Sequence, residues 1–325
     1  RKNLKIITKS ITNKLLFEGT KCIGLEYING KNIHKVYAER EVIVCGGAIN
    51  SPQILQLSGI GKGDYIKKWG LDVVADLPGV GENLQDHLDG LSHYECTQPV
   101  TEAKYTAGGL AFIRMAGILA QWLLTKKGAG NDIGLSGVSF LKTDDTLDLP
   151  DIQMHFIGSL LKDHGKTRPD SHAFSNHVCM LRPESRGYIA LKSLDPNIQP
   201  IIQPNYFSTQ KDRDTLIKGV KISREIMNQP AFDEFRGKEI NPGIHIQTDQ
   251  EIEEFIRNHG ETIYHPVGTC KMGSDEFSVV DDKLRVRGVE NLRVIDASVM
   301  PTLIGGNTNA PTIMIGEKAA DMILD

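Results

Sequence analysis

Two stretches near opposite ends of the chain share one local pattern, and this recurrence constrains the fold more than any other feature. In each stretch, a short apolar strand leads into a glycine-rich turn and then into a helix. The first contains Val42–Val44, whose β-branched side chains suit a buried parallel strand, followed by Gly46-Gly47. The second contains a strand at residues 291–296, a polar loop at 305–311 and a helix at 312–324. The recurrence predicts one α/β domain built from both ends of the chain.

The helix of the first stretch is predicted to run from Pro52 to Leu57. Ser51-Pro52 is typical of an N-cap followed by the first helical residue. The free N–H groups at such a helix start favour an anionic or polar ligand. An ordinary turn between a strand and a helix, with no ligand, is the alternative.

The middle of the chain, residues 88–260, differs from both ends. Turn residues separate short runs with strand character, which favours an antiparallel sheet. These runs are residues 152–157, 177–181, 187–190 and 200–203. Helices are predicted at residues 110–124, 211–227 and 249–258, the last with a capping box that begins at Thr248. Near the start of the chain, Asn29-Gly30 lies between two strand-like runs and predicts a β-hairpin.

A chain of 325 residues is long enough for about two domains. Because α/β character stands at both ends and antiparallel character in the middle, the two domains are predicted to be interleaved in sequence. We expect a mixed fold, α/β plus α+β. Residues 1–87 and 275–325 are predicted to form one domain, and residues 88–274 the other.

Composition argues against several classes of function. The net charge is −4, so the whole-chain balance gives no reason to expect a nucleic acid or an anionic membrane as partner. The longest apolar run, residues 108–124, is interrupted by Arg114 and is too short to cross a bilayer. The five cysteines form no CxxC pair, which speaks against a zinc site and against a disulfide framework. No signal peptide is visible, and the localisation stays undetermined.

One histidine stands out because of its neighbours. His265 lies between Tyr264 and Pro266, and Gly268 and Gly273 follow. The proline fixes its own φ and pushes His265 towards extended geometry, which suggests a rigid presentation of the side chain. A histidine titrates near neutral pH and can act as a general base. A structural histidine in a core turn is the alternative.

Asn307 and Asn309 lie in the polar loop of the second stretch. Binding sites in open α/β sheets lie beyond the carboxyl ends of the strands, and amide side chains can both donate and accept hydrogen bonds there. Asparagine is also a standard turn residue, so a loop-forming role is the alternative. A further glycine-rich stretch, residues 77–87, is predicted to be a loop. No segment shows a strand, GxGxxG and a helix in that order.

Taken together, these stretches resemble the glucose–methanol–choline (GMC) oxidoreductases, flavoenzymes that oxidise alcohols. The similarity rests on four ordered motifs and covers essentially the whole chain. The motifs are residues 47–61, residues 77–81 with 83–87, residues 264–272, and residues 294–298 with 306–311. Among the branches of this family, the sequence most resembles the glucose dehydrogenases described from insects.

The resemblance implies an FAD-dependent oxidoreductase that acts on the CH–OH group of a small-molecule alcohol or sugar. His265 matches the histidine that takes the hydroxyl proton, and Asn307 matches the second active-site position. FAD takes the hydride at N5, because no side chain can. The electron acceptor implied is O₂ or a quinone. Six further residues match cofactor-binding positions: Ile11, Tyr264, Asp296, Ala297, Asn309 and Thr312.

The resemblance also exposes a gap. Full-length family members begin with a GxGxxG unit that binds the ADP half of FAD, and this sequence shows none. Residues 1–87 and 275–325 are therefore expected to form an incomplete, Rossmann-like FAD-binding domain, beside a substrate-binding domain built on an antiparallel sheet. We expect this chain alone to bind FAD weakly or not at all. A truncated, non-catalytic remnant or interaction domain of the family is the alternative.

A metal hydrolase is a second alternative. Four potential metal ligands lie close together in the sequence: Asp163, His164, His172 and His177. They lack the HExxH spacing, and they lie in a loop rich in Arg, Lys and Pro. No metal site is therefore expected.

Overall fold

The structure, a computed structural model, describes residues 1–131, 134–160 and 171–324. Its strands, in chain order, are β1 (Ser10–Glu18), β2 (Lys21–Asn29), β3 (Asn32–Tyr37), β4 (Val42–Val44), β5 (Ile60–Gly61), β6 (Ala75–Asp76), β7 (Leu88–Cys96), β8 (Leu135–Leu141), β9 (Ile152–Ile157), β10 (Ala173–Met180), β11 (Tyr188–Ala190), β12 (Ile201–Gln203), β13 (Arg236–Asn241), β14 (Glu261–Thr262) and β15 (Leu292–Val294). Its α-helices are α1 (Gly47–Leu57), α2 (Gly63–Lys68), α3 (Ala103–Thr106), α4 (Ala111–Thr125), α5 (Gln210–Met227), α6 (Asp249–His259) and α7 (Asn309–Leu324). Short 3-10 helices lie at Ala129–Asn131, Pro230–Phe232 and Ala297–Val299.

The chain divides into two compact units. Unit 1 consists of Arg1–Asp86, Ser185–Tyr206 and Tyr264–Asp325. Unit 2 consists of His87–Glu184 and Phe207–Ile263. Each unit is therefore assembled from separate parts of the chain.

The boundaries of the units differ from the predicted ones at two segments. Residues 185–206 and 264–274, predicted for the middle domain, belong to unit 1. The first segment is joined to unit 1 by backbone pairing, because Leu84 and Gly187 exchange two N–H···O bonds of 2.9 and 2.8 Å. The second is joined to residues 83–86 in a similar way, as described below. Pairing between such distant residues leaves no mark in the local sequence.

Unit 1 begins with the three-stranded antiparallel sheet β1-β2-β3. The predicted hairpin is confirmed: Asn29 pairs with Asn32, and Gly30 in the turn has a φ of 62°, which glycine adopts at little cost. Two smaller strand pairs, β5 with β6 and β11 with β12, also belong to this unit. β11 and β12 correspond to the predicted strands at residues 187–190 and 200–203. They pair with each other rather than with the sheet of the middle region.

The two strand–turn–helix stretches lie together in unit 1. β4 and β15 pair in parallel, with Val44 opposite Val294. Val294, Leu55 of α1 and Ile315 of α7 belong to one hydrophobic core. Full burial of a side chain of this kind stabilises a fold by about 1.5–3 kcal/mol. The shared core holds the loop after β15 close to the start of α1.

Helix α1 begins at Gly47, so the predicted start at Pro52 is wrong. Ser51 lies inside the helix, and its Oγ accepts the backbone N–H of Gly46 at 2.9 Å. Pro52 has no N–H, and the carbonyl of Ala48 therefore lacks its usual helical donor. Oγ1 of Thr269 donates to that carbonyl instead, at 2.6 Å. A long-range hydrogen bond thus allows the helix to continue through the proline.

Unit 2 is built on an antiparallel sheet, as predicted. The strand order is β13-β7-β10-β9-β8, and β14 also pairs with β7. Helix α5 packs on the sheet and buries Leu216 and Val220 completely. The predicted capping box of α6 is confirmed, with Thr248 and Glu251 as its members. Within the described ranges, no helix is both long enough and apolar enough to span a membrane.

Candidate active site

The chain turns sharply after β14, at Tyr264. This residue has a φ of 65°, in the left-handed region that residues other than glycine rarely occupy, and it is 64% exposed. The next residue, His265, is only 8% exposed. The turn therefore buries the imidazole and leaves the neighbouring aromatic ring at the surface.

Residues 83–86, which we call the positioning loop, hold the His265 segment. The backbone N–H of His265 donates to Oδ1 of Asp86 at 2.8 Å. Gln85 and Val267 exchange two backbone hydrogen bonds of 3.1 and 2.9 Å. These bonds fix the backbone on both sides of Pro266. The sequence assigned this stretch to a loop but did not predict its contact with His265.

The positioning loop also holds the segment that leads to Asn307. Nε2 of Gln85 donates to the carbonyl of Pro301 at 3.2 Å, and Oε1 of Gln85 accepts the backbone N–H of Leu303 at 3.0 Å. Nδ2 of Asn83 donates to the same Pro301 carbonyl at 3.2 Å. One short loop thus fixes two stretches that are distant from it in sequence.

The two candidate catalytic residues meet in unit 1. Nδ2 of Asn307 lies 3.4 Å from Nε2 of His265. The amide nitrogen can only donate, so Nε2 is the acceptor and the imidazole proton belongs on Nδ1. The side chain of Asn307 is exposed and lies just before α7. A neutral histidine with an accepting Nε2 is the form that can take a proton.

The electrostatics of the site favour this neutral form. Burial lowers the pKa of His265 below its ordinary value, and the charge of Asp86 acts in the opposite direction. Asp86 is buried and also accepts the hydroxyl of Tyr206 at 2.5 Å. One carboxylate thus orients the backbone of His265 and lies close enough to influence its protonation.

Asp296 and Ala297 follow β15 and lie against the start of α1. Oδ2 of Asp296 accepts from the backbone N–H of Gly47 at 2.9 Å and from Oγ of Ser51 at 2.6 Å. Oδ1 of Asp296 accepts the backbone N–H of Ser298 at 2.8 Å. The carboxylate of Asp296 therefore occupies two of the donors at this helix start, the N–H of Gly47 and the hydroxyl of Ser51. A carboxylate at this position also complements the helix dipole.

The other candidate cofactor residues lie in two places. Asn309 and Thr312 form the first turn of α7, directly after Asn307, and Asn309 is exposed. Together with the exposed ring of Tyr264 and exposed apolar side chains on the next turn of α7, they offer aromatic, amide and apolar groups. These groups suit a flavin ring, which has a flat apolar body and a polar edge. Ile11 lies elsewhere in unit 1, in β1, opposite Ile28.

The residues of the metal-hydrolase alternative do not form a cluster in the part of the chain that is described. Asp163 and His164 lie outside the described residues. Nδ1 of His172 lies 2.8 Å from Oγ1 of Thr101, and His177 contacts a buried aspartate on β7. Across residues 1–131, 134–160 and 171–324, no group of three or more His, Cys, Asp or Glu side chains could hold a metal ion.

The sheet of unit 2 contains a buried pair that the sequence did not predict. Nδ1 of His177 lies 2.5 Å from Oδ2 of Asp89, and both side chains are largely withdrawn from solvent. Burial lowers the pKa of His177, but the carboxylate of Asp89 more than offsets this effect and raises the pKa above its ordinary value. The strand register creates the pair, because Asp89 stands opposite Cys179 and is a diagonal neighbour of His177.

Comparison with known proteins connects these features to a family. Two models described as GMC oxidoreductase match residues 1–89 and 183–316. An oxygen-dependent choline dehydrogenase from Cronobacter sakazakii (strain ATCC BAA-894) is 48% identical over 325 residues, which cover 99% of this chain and 57% of that protein. The mitochondrial choline dehydrogenase of Homo sapiens is 47% identical over 325 residues, which cover 99% of this chain and 54% of that protein.

A solved structure supports the same conclusion. Pyridoxine 4-oxidase from Mesorbium loti matches with a TM-score of 0.84 and 29% identity, over 99% of this chain and 58% of that one. This match confirms the predicted mixed α/β fold with antiparallel sheets. The chain spans somewhat more than half the length of the curated relatives it matches. It belongs to the GMC oxidoreductase family.

Proposed function

We propose that this chain contributes the catalytic base, the hydrogen-bonding partner of that base and part of the flavin site to an FAD-dependent oxidoreductase that acts on a small alcohol. The observation that supports this most strongly is the 3.4 Å approach of Nδ2 of Asn307 to Nε2 of His265. Family membership supports FAD as the cofactor, since GMC oxidoreductases are FAD-binding flavoproteins.

The two side chains can act on one substrate oxygen. A hydroxyl oxygen within hydrogen-bond distance of both, at about 2.8–3.1 Å, would give its proton to Nε2 of His265 and accept a hydrogen bond from Nδ2 of Asn307. FAD, when bound, supplies the acceptor for the hydride from the carbon. While the C–H bond breaks, Asn307 stabilises the negative charge that develops on the oxygen. The alcohol loses one proton and one hydride and becomes a carbonyl compound.

Asp86 supports the base in two ways. Its carboxylate holds the backbone N–H of His265, so the imidazole keeps one position relative to the substrate oxygen. Its negative charge also stabilises the imidazolium that forms when His265 takes the proton. We therefore assign Asp86 as a positioning residue of this site.

We further propose that unit 1 is the FAD-binding side and that the antiparallel sheet of unit 2 is the substrate-binding side. Tyr264, Asn309 and Thr312 are assigned to the flavin end of the cofactor. Asp296 and Ala297 are assigned to the region of its pyrophosphate and ribityl chain, where Asp296 acts by fixing the start of α1. Ile11 lies in β1 and pairs with Ile28. Its backbone is assigned to the adenine.

The names of the relatives favour a choline-like alcohol as the substrate. The two curated relatives described above are choline dehydrogenases, at 48% and 47% identity. A small amino alcohol is therefore proposed ahead of the sugar that the resemblance to the insect branch implied. The bacterial relative is described as oxygen-dependent, which favours O₂ over a quinone as the electron acceptor.

The test uses the purified full-length protein. We expect a flavin absorbance spectrum that bleaches when choline is added without oxygen, and bleaches much more slowly with glucose. A protein that folds but shows no flavin spectrum would support the alternative of a non-catalytic remnant or interaction domain. A bound flavin that no small alcohol reduces would contradict the proposed reaction.

A further inference from the structure

Helix α4 has an exposed apolar face that the proposed activity does not use. None of its residues is buried. Four large apolar side chains recur at positions i, i+3, i+7 and i+11 and therefore lie on one face. All four are exposed: Phe112 (84%), Met115 (46%), Leu119 (55%) and Leu123 (56%). A contiguous apolar surface of this kind marks an interaction site.

The rest of unit 2 contacts α4 from another side. Ile118 and Trp122 are half-buried and pack beside Gly130 of the following 3-10 helix. The main packing neighbours of α4 are α3 and this 3-10 helix. Within the described ranges of unit 2, the apolar face of α4 is thus left open.

The charged side chains of residues 103–131 all have the same sign, and Glu102 lies directly before this segment. Residues 103–131 contain no Asp or Glu, although the whole chain has a net charge of −4. Their four charged residues are all basic: Lys104, Arg114, Lys126 and Lys127. Lys126 ends the helix with a φ of 54°, and its Nζ lies 4.1 Å from the ring centroid of Trp122. The whole-chain charge balance conceals this local surplus of four positive charges.

We propose that α4 docks this protein on an anionic lipid surface, with the helix lying in the plane of the interface. Its 15 residues extend about 22 Å, which is shorter than the hydrocarbon core of about 30 Å, so the helix lies on the membrane and does not cross it. An apolar face with Phe and Leu, a tryptophan and basic residues is the composition of interfacial helices. Anionic headgroups attract lysines that lie near the membrane surface.

A second copy of this chain fits the same face less well. Two α4 helices packed in antiparallel fashion would bring Lys126 and Lys127 of one copy near the N-terminal half of α4 of the other, whose one charged residue is Arg114. Residues 103–131 contain no carboxylate that would compensate these like charges, and Glu102 is one acidic residue against several basic ones. An anionic lipid surface supplies charge of the opposite sign.

The test is flotation of the full-length protein with vesicles of phosphatidylcholine that contain about 30 mol% phosphatidylserine. We expect binding that weakens as the salt concentration rises, and much weaker binding to phosphatidylcholine alone. Leu119→Glu should abolish flotation, because it places a charge on the apolar face. Ile244→Glu is the matched control, since Ile244 is also exposed in unit 2 but lies outside α4.

Two double variants test the contribution of the lysines to membrane binding. Lys126→Gln combined with Lys127→Gln should weaken binding to the anionic vesicles about thirty-fold. Lys67→Gln combined with Lys68→Gln removes two exposed lysines of α2 and should leave binding unchanged.

A spectroscopic measurement reports on α4 itself. Residues 1–325 contain two tryptophans, so Trp69→Phe leaves Trp122 as the only one within this chain. Its emission should shift to shorter wavelength when the anionic vesicles are added. Absence of wild-type flotation, or flotation of Leu119→Glu equal to that of wild type, would overturn the proposal. A wild-type dimer that Leu119→Glu converts to a monomer would also overturn it and would identify a second copy as the occupant.

Discussion

Substitution of Asp86 separates two effects that one carboxylate has on His265. It holds the backbone of the histidine at 2.8 Å, and its charge raises the pKa of the imidazole against the lowering effect of burial. Asp86→Ala removes both effects. Asp86→Asn keeps the size of the side chain and one accepting oxygen for the N–H of His265. It removes the charge and replaces the oxygen that accepts from Tyr206 with an NH₂ group.

The stability cost of Asp86→Ala follows from two hydrogen bonds. The carboxylate accepts from the backbone N–H of His265 and from the hydroxyl of Tyr206. Hydrogen bonds to charged groups contribute about 1.5–3 kcal/mol each, so the free energy of unfolding should fall by about 3–6 kcal/mol. A displacement of the imidazole by about 1 Å would slow flavin reduction by about 10²-fold.

Asp86→Asn should mainly change the pH dependence of kcat/KM. Without the carboxylate charge, the pKa of His265 falls further below its ordinary value. The base acts in its neutral form, and a lower pKa extends that form to lower pH. The acid limb of the kcat/KM profile of the full-length enzyme should therefore move to lower pH.

Asp212→Asn is the matched control for this experiment. Asp212 is also a buried carboxylate and accepts a backbone N–H, that of Glu184, at 2.8 Å. Its substitution should lower stability without moving the pH profile. An acid limb that stays in place in Asp86→Asn, or moves to higher pH, would refute the role assigned to Asp86.

Three further predictions concern stability. The pKa of His265 is lowered from 6.5 in the folded state, so the unfolded state binds more protons below that pH and the free energy of unfolding should fall as the pH drops through 6.5. His265→Gln should flatten this part of the stability–pH curve, measured by urea unfolding. Thr269→Val should lower the free energy of unfolding by about 1–3 kcal/mol. The loss should be smaller in a Pro52→Ala background, where residue 52 regains an N–H for the carbonyl of Ala48, and a double-mutant cycle measures the difference. Asp296→Ala removes three hydrogen bonds at the start of α1 and should cost about 3 kcal/mol or more by the same assay, with Asp296→Asn less affected.

Local patterns were enough to predict much of the fold. Asn29-Gly30 predicted the hairpin and the capping box predicted α6, and both features depend on residues that are close in sequence. The recurring strand–turn–helix pattern predicted one domain from both ends of the chain, but not that β4 pairs with β15. The start of α1 could not be predicted in this way, because the Pro52 inside it is accommodated by Thr269, a residue far along the chain.

The candidate site was predicted only in part. Tyr264 and Pro266 mark His265 as unusual, but its pairing with Asn307 came from the family resemblance and not from any local pattern. Asp86 lies 179 residues before His265, and a single carboxylate in a glycine-rich loop gives no local signal of that contact. The side chains that position the base are therefore the part of the site that sequence reasoning missed.

The central claim is that His265 is the base and that Asn307 acts on the same substrate oxygen. The most direct measurement is anaerobic stopped-flow reduction of the bound flavin by alcohol in the full-length protein. His265→Ala should slow reduction by about 10²–10⁴-fold, and Asn307→Ala should slow it less, by about 10²–10³-fold at most. The double variant should lose less than the product of the two, because both groups act on one oxygen. His245→Ala, an exposed histidine in unit 2, is the control and should react like wild type. If His265→Ala reduces its flavin at the wild-type rate from about pH 6 to about pH 9, the histidine is only a structural residue of its turn and the account is contradicted.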